Sequence, residues 1–165
     1  MLKLDNVTIS YKNVPTVQNF NLDMKEGQIV SLVGESGSGK TTVIRAVLGL
    51  LAGGGKVTEG SITFEGEDLL SYTPEQWRKL RGSDISMIFQ EPMTALNPLI
   101  KVGKQVRECL LTHQKGISKK EAKSLVLEQL KSVGLPDVED LYECYPHQLS
   151  GGQRQRVMIA MAFIN

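Results

Sequence analysis

The sequence predicts an α/β fold in which an N-terminal β region precedes a strand–loop–helix unit and an inserted helical segment. Three observations lead to this fold class. Residues 1–33 are rich in strand patterns, a glycine-rich loop at residues 34–39 separates an apolar run from helical spacing, and residues from about 99 to 145 have helical periodicity. The 165 residues are 41% hydrophobic and 22% charged, as is usual for a globular domain.

The strand predictions rest on short apolar or alternating runs. They cover residues 2–9, 17–24, 29–33, 61–65 and 85–89. The run at 29–33 is almost wholly apolar and is expected to be a buried strand, and the run at 85–89 is expected to be another apolar strand. Residues 25–28, Lys-Glu-Gly-Gln, are a turn signal after the second strand, and Gly66 closes the strand at 61–65.

Two helix starts are marked by capping sequences. Thr73 precedes Pro74 in a Thr-x-x-Gln string, which is typical of a capping box with proline at the first helical position. Ser118 and Glu121 form a similar pattern ahead of an apolar stripe in the segment 99–145. Gly134, followed by a proline two residues later, is expected to end that helix.

The loop at residues 34–41, Gly-Glu-Ser-Gly-Ser-Gly-Lys-Thr, fits the phosphate-loop pattern G-x-x-x-x-G-K-[ST] without a mismatch. Its glycines allow the backbone to approach a ligand, and the helix that follows offers N–H groups to an anion. We expect Lys40 to reach the β- and γ-phosphates and Thr41 to bind Mg²⁺. An ordinary Gly/Ser turn has no need of this lysine and threonine. The predicted nucleotide-binding residues are Gly34, Glu35, Ser36, Gly37, Ser38, Gly39, Lys40, Thr41 and Thr42.

A second string, Leu-Ser-Gly-Gly-Gln at residues 149–153, opens another predicted helix. A capping box explains Ser150 and Gln153 as a plain helix start. It does not explain Gly151 and Gly152, because glycine within a helix costs about 1 kcal/mol relative to alanine. Two glycines make sense if the phosphates of a ligand must approach the backbone closely.

Together, in this order, the two strings resemble the nucleotide-binding subunit of ABC transporters. In that family the second string is the signature motif, and it faces the γ-phosphate bound to the phosphate loop of the other subunit. The resemblance therefore implies a head-to-tail dimer with ATP and Mg²⁺ between two chains, and it makes Ser150, Gly151, Gly152 and Gln153 ATP-binding residues.

The resemblance also implies a P-loop NTPase fold of the ABC type, with an N-terminal antiparallel β subdomain and an inserted helical subdomain. On this basis residues 1–98 form the ATP-binding core with its β subdomain. Residues 99–149 form the helical subdomain, and residues 150–165 carry the signature motif and its helix.

Two further residues take roles from the resemblance. Gln90 matches the family's glutamine that senses Mg²⁺ and the attacking water, which makes it both a catalytic and a metal-binding residue, and its loop faces the membrane subunit. A surface loop in which Gln90 has no task is the alternative. Tyr11 lies 23 residues before Gly34, where the family places an aromatic ring that stacks on adenine. His147 does not match the family's switch histidine and is expected to be structural.

The sequence of residues 89–98 and 145–148 resembles one branch of the family, the ATP-binding subunits of oligopeptide, dipeptide and nickel importers. The family continues with an apolar strand ending in Asp-Glu, a dimer-contact loop and a switch histidine, none of which occurs up to Asn165. We therefore expect an N-terminal part of an ATPase subunit, with unpaired strand edges in its core, that holds phosphate poorly and hydrolyses it negligibly by itself.

Composition limits the other readings. The net charge of +1 gives no electrostatic case for nucleic acid, and no apolar run approaches the roughly 18 residues that span a bilayer. The N-terminus lacks the apolar core of a signal peptide, so we expect a cytoplasmic location, reduced thiols at Cys109 and Cys144, and membrane association only through permease subunits.

Three alternative classes remain open at this point. The first is a soluble ABC ATPase of DNA repair or translation, and the second is a phosphate-loop kinase or GTPase, which would lack residues 149–153. The third is a nucleotide-binding module without hydrolysis. The transported solute, peptide or nickel, is also open.

Overall fold

The computed structural model describes residues 1–89 and 95–165. The chain divides into two compact units, residues 1–78 and residues 79–165. The following paragraphs take each unit by itself.

An antiparallel sheet forms the frame of the first unit, whose residues 1–78 are all described. Its strands are β1 (Leu2–Tyr11), β2 (Val14–Met24), β3 (Gly55–Phe64) and β4 (Glu67–Asp68), arranged in the order β2-β1-β3-β4. The predicted strands at 2–9, 17–24 and 61–65 are confirmed. β3 begins at Gly55, well before residue 61, and the sequence prediction missed its first half because Val57 is the only large apolar residue there.

Helix α1 (Lys40–Val47) packs on this sheet and contacts β1 and β3. It buries Val43, Ala46 and Val47, whereas Ile44, another apolar residue of this helix, is 42% exposed. The buried hydrophobic residues of this unit are Leu4, Val7, Ile9, Val43, Ala46, Val47, Leu48, Ile62 and Leu69. The helix axis is therefore fixed by apolar burial along its length, which holds its N-terminus in place.

The predicted strands at residues 29–33 and 85–89 are wrong. Ile29 and Val33 are 97% and 94% exposed, and no residue in the described ranges pairs with the run 29–33. In the second run the sheet pairing among described residues is a single bridge between Arg81 and Ile85, and Phe89 is 46% exposed. An apolar run forms a strand only where a neighbouring backbone exchanges hydrogen bonds with it. Among residues 1–89 and 95–165, the run 29–33 has no such neighbour, and the run 85–89 has one only at Ile85.

Helices dominate the second unit, and the helical prediction for residues 99–145 is confirmed. Over residues 74–89 and 95–165 the helices are α2 (Pro74–Leu80), α3 (Val102–His113), α4 (Lys119–Ser132), α5 (Val138–Glu143) and α6 (Gly151–Ala162). α2 runs across the division between the units in the chain. A short 3₁₀ turn, Pro146–Gln148, leads into α6. None of the helices in the described ranges is long and apolar enough to cross a membrane.

The predicted helix caps form as hydrogen bonds. Thr73 N–H donates to the Gln76 side chain at 2.9 Å, and Gln76 N–H donates to the Thr73 hydroxyl at 3.3 Å. Ser118 Oγ accepts the N–H of Glu121 at 3.2 Å at the start of α4. Gly134, with φ of 74°, ends the same helix as predicted.

A single cluster of buried side chains holds the helical unit together. Its members are Leu96, Val102, Val106, Val126, Leu130, Leu135, Leu141, Tyr142, Leu149, Val157, Met158 and Ala160. α3 contacts α4, α5 and α6 around this cluster. α3 and α5 approach each other closely at Gly103, where a Cβ would lie 2.1 Å from Cδ2 of the Tyr142 ring.

Gly103→Ala is therefore expected to destabilise the helical unit by about 1–3 kcal/mol, because the added methyl overlaps a buried ring that cannot move freely. This loss outweighs the gain of about 1 kcal/mol in helix propensity that alanine brings. The measurement is urea unfolding followed by far-UV circular dichroism. Lys104→Ala, at the next and exposed position of α3, is the control and should leave the midpoint in place. Equal midpoints for the two variants would contradict the packing described here.

Candidate functional site

The phosphate loop forms a tight turn between residue 34 and the start of α1. Ser38 N–H donates to the carbonyl of Glu35 at 3.2 Å, which closes the turn. Gly37 and Gly39 have φ of 83° and 88°, a left-handed conformation that favours glycine. The backbone conformation of the loop therefore requires glycine at residues 37 and 39.

Gly39 occupies the N-cap position of α1 and offers no side chain to cap it. A Cβ at this position would also lie 2.7 Å from Cγ2 of Val17 on β2, so there is no room for a capping residue. The N–H groups in the first turn of a helix have no intrahelical acceptor. At the start of α1 they are consequently left to an acceptor from outside the helix, and an anion is the natural one.

The side chain of Lys40 folds over the same loop. Its Nζ donates to the carbonyl of Gly34 at 2.8 Å, to the carbonyl of Glu35 at 2.6 Å and to Ser38 Oγ at 3.2 Å. The first turn of α1 contains no acidic residue, so nothing in that turn offsets the ammonium charge or the helix dipole. Thr41 is exposed and Thr42 is half-buried. Uncapped donors, a cation within the loop and an exposed hydroxyl together fit a magnesium-bound polyphosphate.

Tyr11 ends β1 and pairs with Gly55 of β3. Its ring lies over that glycine, since a Cβ on Gly55 would be 2.6 Å from the ring atoms Cε1 and Cζ. The tyrosine therefore covers a glycine across the strand pair, a contact that the sequence did not indicate. Its predicted stacking on adenine stays a prediction.

The second string begins α6, as predicted. Ser150 Oγ accepts the N–H of Gln153 at 3.2 Å, and the Gln153 side chain accepts the N–H of Ser150 at 2.9 Å. Gly151 and Gly152 are both exposed, and a Cβ on either would meet nothing within 4 Å. Packing within the described chain thus gives no reason for two glycines in the first turn of this helix.

Gln90, the predicted catalytic and metal-binding residue, lies outside the described residues, as do residues 91–94. The part of this loop that is described divides sharply by exposure. Leu96 is 4% exposed and belongs to the helical core, whereas Leu99 is 84% exposed and Ala95 is exposed. His147 is exposed, and its ring stacks on Tyr145 with centroids 5.7 Å apart.

Gln105 on α3 is a residue that sequence reasoning missed. Its buried amide donates to the carbonyls of Asn97 at 3.0 Å and Ile100 at 2.7 Å, and it accepts the N–H of Asn97 at 2.9 Å. This satisfied amide fastens the turn at residues 97–100 to the helix. The available signal was a polar residue between Val102 and Val106, on the apolar side of a predicted helix.

The sequence matches the family model described as ABC transporter over residues 17–165, so the chain belongs to the ABC transporter family. Its structure has the ABC ATPase fold, and the predicted fold class is thereby confirmed. One similar solved structure is the dimeric ATP-binding cassette MJ0796 in a post-hydrolysis state bound to ADP and Pi. The match covers 100% of this chain and 70% of that chain, with a TM-score of 0.83 and 34% identity. A second dimeric structure of MJ0796 gives a TM-score of 0.86 at the same identity and coverage.

The curated relatives that match this chain include dipeptide and oligopeptide transport ATP-binding proteins. The chain is 43% identical over 166 residues to the dipeptide transport ATP-binding protein DppD of Lactococcus lactis subsp. cremoris (strain MG1363), covering 98% of this chain and 48% of that protein. It is 47% identical over 150 residues to the oligopeptide transport ATP-binding protein AppD of Bacillus subtilis (strain 168), covering 90% and 45%. The chain spans about half the length of these relatives.

Proposed function

We propose that this chain provides the phosphate loop and the signature motif of an ATP-binding subunit in a peptide importer. The observation that carries the proposal is the start of α1, where a glycine N-cap leaves backbone donors uncapped beside the Lys40 ammonium. Triphosphate is the ligand class that such a site attracts. The transport ATP-binding relatives that match are named for dipeptides or oligopeptides, which favours a peptide over nickel as the solute.

Within the subunit we assign Lys40 and the loop N–H groups to phosphate, and Thr41 together with Gln90 to Mg²⁺. Tyr11 is assigned to adenine. Phosphoryl transfer to water depends on positioning and charge stabilisation more than on covalent chemistry. The family's Asp-Glu pair does not occur in residues 1–165, so we propose that these residues bind ATP weakly and do not hydrolyse it at an appreciable rate alone.

The signature motif is proposed to complete the ATP site of a second subunit. Gly151 and Gly152 leave the first turn of α6 open, as close approach of a terminal phosphate requires. The positive end of the helix dipole and the absence of acidic residues in this turn favour that phosphate. A head-to-tail dimer would use both motifs of each chain, and the two similar cassette structures are dimeric.

The membrane partner is proposed to dock on the loop that ends at residue 100, which would place the subunit on the cytoplasmic face through its permease. Hydrogen bonds hold the backbone around Leu99 in a fixed turn. Its N–H donates to Asn97 Oδ1 at 3.0 Å, and the Gln105 amide holds both ends of the turn. An exposed leucine on a rigid turn costs little entropy when it binds a partner. In this assembly we assign residues 1–98 to the ATP-binding core, residues 99–149 to the helical subdomain and residues 150–165 to the signature motif and its helix.

Lys40→Ala in the full-length subunit should reduce ATP binding below detection in a calorimetric titration. The variant removes charged hydrogen bonds to phosphate, each contributing about 1.5–3 kcal/mol, from the only cation in the loop. Lys25→Ala, in the turn that follows β2, removes an equal charge from the same unit and serves as the control. Unchanged affinity in Lys40→Ala would overturn the ATP assignment.

Ser150→Arg should leave ATP binding to the separate subunit near normal but abolish ATP-driven dimerisation measured by light scattering. The arginine opposes the dipole of α6 and blocks approach to Gly151. Ser118→Arg is a matched control, because Ser118 caps α4 through the same bond to the residue three positions on. Both variants lose a cap contributing about 1 kcal/mol. The sandwich proposal fails if the two variants dimerise equally well.

Cysteine at Leu99 or Ala95 should form a crosslink with a cytoplasmic loop of the permease in the assembled transporter, with a yield that changes with nucleotide. The background replaces the free thiols Cys109 and Cys144 by serine. Cysteine at Leu125, which is 37% exposed on α4, is the control and should not crosslink. No crosslink from residue 95 or 99 in an intact complex would place the docking site elsewhere.

A further inference from the structure

Arg156 links α6, the helix that begins with the signature motif, to the end of α4. It lies in the second turn of α6, and its Nη1 donates to the carbonyl of Gly134 at 2.5 Å and to that of Val133 at 3.4 Å. These carbonyls belong to the residues that follow α4. Arg156 is exposed on its other side, so the contact is made without burying the charge.

The end of α4 is built to present these oxygens. Gly134 N–H donates to the carbonyl of Lys131 at 2.9 Å, and Leu135 N–H donates to that of Leu130 at 3.3 Å. These bonds satisfy carbonyls of the last helical turn but leave those of Val133 and Gly134 for other donors. A guanidinium is well suited to them, since it is a charged donor at the negative end of the helix dipole.

Gly134 and Arg156 depend on each other. A Cβ on Gly134 would lie 2.7 Å from Nη1 of Arg156, and the φ of 74° at Gly134 is unfavourable for any residue with a side chain. A residue other than glycine would both strain the helix end and displace the guanidinium. The glycine thus ends α4 and makes room for the arginine at the same point.

The contact fixes α6 in a way that apolar packing alone does not. The adjacent residue Val157 is fully buried and holds the helix against the core. Apolar contacts tolerate small sliding and rotation, whereas hydrogen bonds to carbonyl oxygens are directional. Arg156 follows Gly152 by four residues, so the two lie on one face of the helix.

We propose that Arg156 is the positioning residue of the signature motif, setting the rotation and height of Ser150–Gly152 by binding the carbonyl end of α4. The inference rests on the proposed function of that motif in ATP-driven dimerisation. It assigns Arg156 no contact with ATP. Its effect is transmitted through the rigid first two turns of α6.

The test uses the full-length subunit with the ATP-binding partner it assembles with. Arg156→Met keeps the length of the side chain and removes both hydrogen bonds. We expect the ATP concentration for half-maximal dimerisation, measured by light scattering, to rise about tenfold, as for loss of one charge-assisted hydrogen bond. ATP affinity of the separate subunit, measured by calorimetry, should stay within about twofold. Arg156→Lys, which keeps one charged donor, should give an intermediate value.

Two controls separate positioning from simple stabilisation. Lys131→Met removes the basic residue of the last turn of α4 and should leave dimerisation unchanged. Gly134→Ala should give a defect at least as large as that of Arg156→Met, because it displaces the same guanidinium and also strains the end of α4. The double variant should be little worse than Gly134→Ala alone, because the shared contact is already lost. Additive defects would overturn the proposal, as would equal losses of dimerisation and ATP affinity in Arg156→Met.

The outcomes also distinguish this inference from its premise. If the unmodified subunit does not dimerise with ATP, the proposed function fails and this inference falls with it. If the unmodified subunit dimerises and Arg156→Met dimerises at the same ATP concentration, the positioning role alone is refuted. Should Arg156→Met not fold, Arg156→Lys gives the same comparison, and an unchanged dimerisation curve for it counts against the proposal.

Discussion

The described structure depends on one constraint: the first N–H groups of a helix must find acceptors, from the protein or from outside it. Thr73, Ser118 and Ser150 supply side-chain acceptors to α2, α4 and α6. The N-caps of α3 and α5 make no such bond, but in α3 the N–H of Val102 donates to the carbonyl of Cys144. At α1 the N-cap is Gly39, and the space that a capping side chain would need is filled by Val17. The helix that sequence motifs assign to phosphate thus has a start with no side-chain cap and no room for one.

The two helix starts of the proposed ATP site solve different problems. α1 is held by apolar burial of Val43, Ala46 and Val47 on the sheet, so it can leave its donors uncapped without losing its place. α6 is capped by Ser150 and Gln153 and keeps its first turn clear with two glycines. A site that meets a ligand bound to another molecule has to be preorganised and unobstructed, and α6 has both properties.

Much of this could be predicted from the sequence because the signals were local. Glycine at positive φ, capping pairs and alternation each depend on a few neighbouring residues, and the predicted strands and helix caps built on them formed. The runs at 29–33 and 85–89 failed for the opposite reason. A buried strand requires neighbouring strands in the sheet, and the apolar side chains of a run such as 29–33 do not show whether those strands are present. Arg156 and the ring of Tyr11 were missed because their partners, Gly134 and Gly55, are distant in sequence. Gln105 was missed although its partners lie close by, because a polar residue on an apolar helix face does not by itself show what it binds.

Two of the residues that sequence reasoning missed, Gln105 and Arg156, share a physical role. Gln105 binds the backbone at residues 97–100, and Arg156 binds the backbone at Val133 and Gly134. Each is a side chain on one helix that satisfies main-chain oxygens at the end of another segment. Such bonds fix the distance and angle between elements that apolar packing leaves adjustable. The turn at residues 97–100 and helix α6 are therefore both tied to one buried cluster, to which Leu96 and Val157 belong.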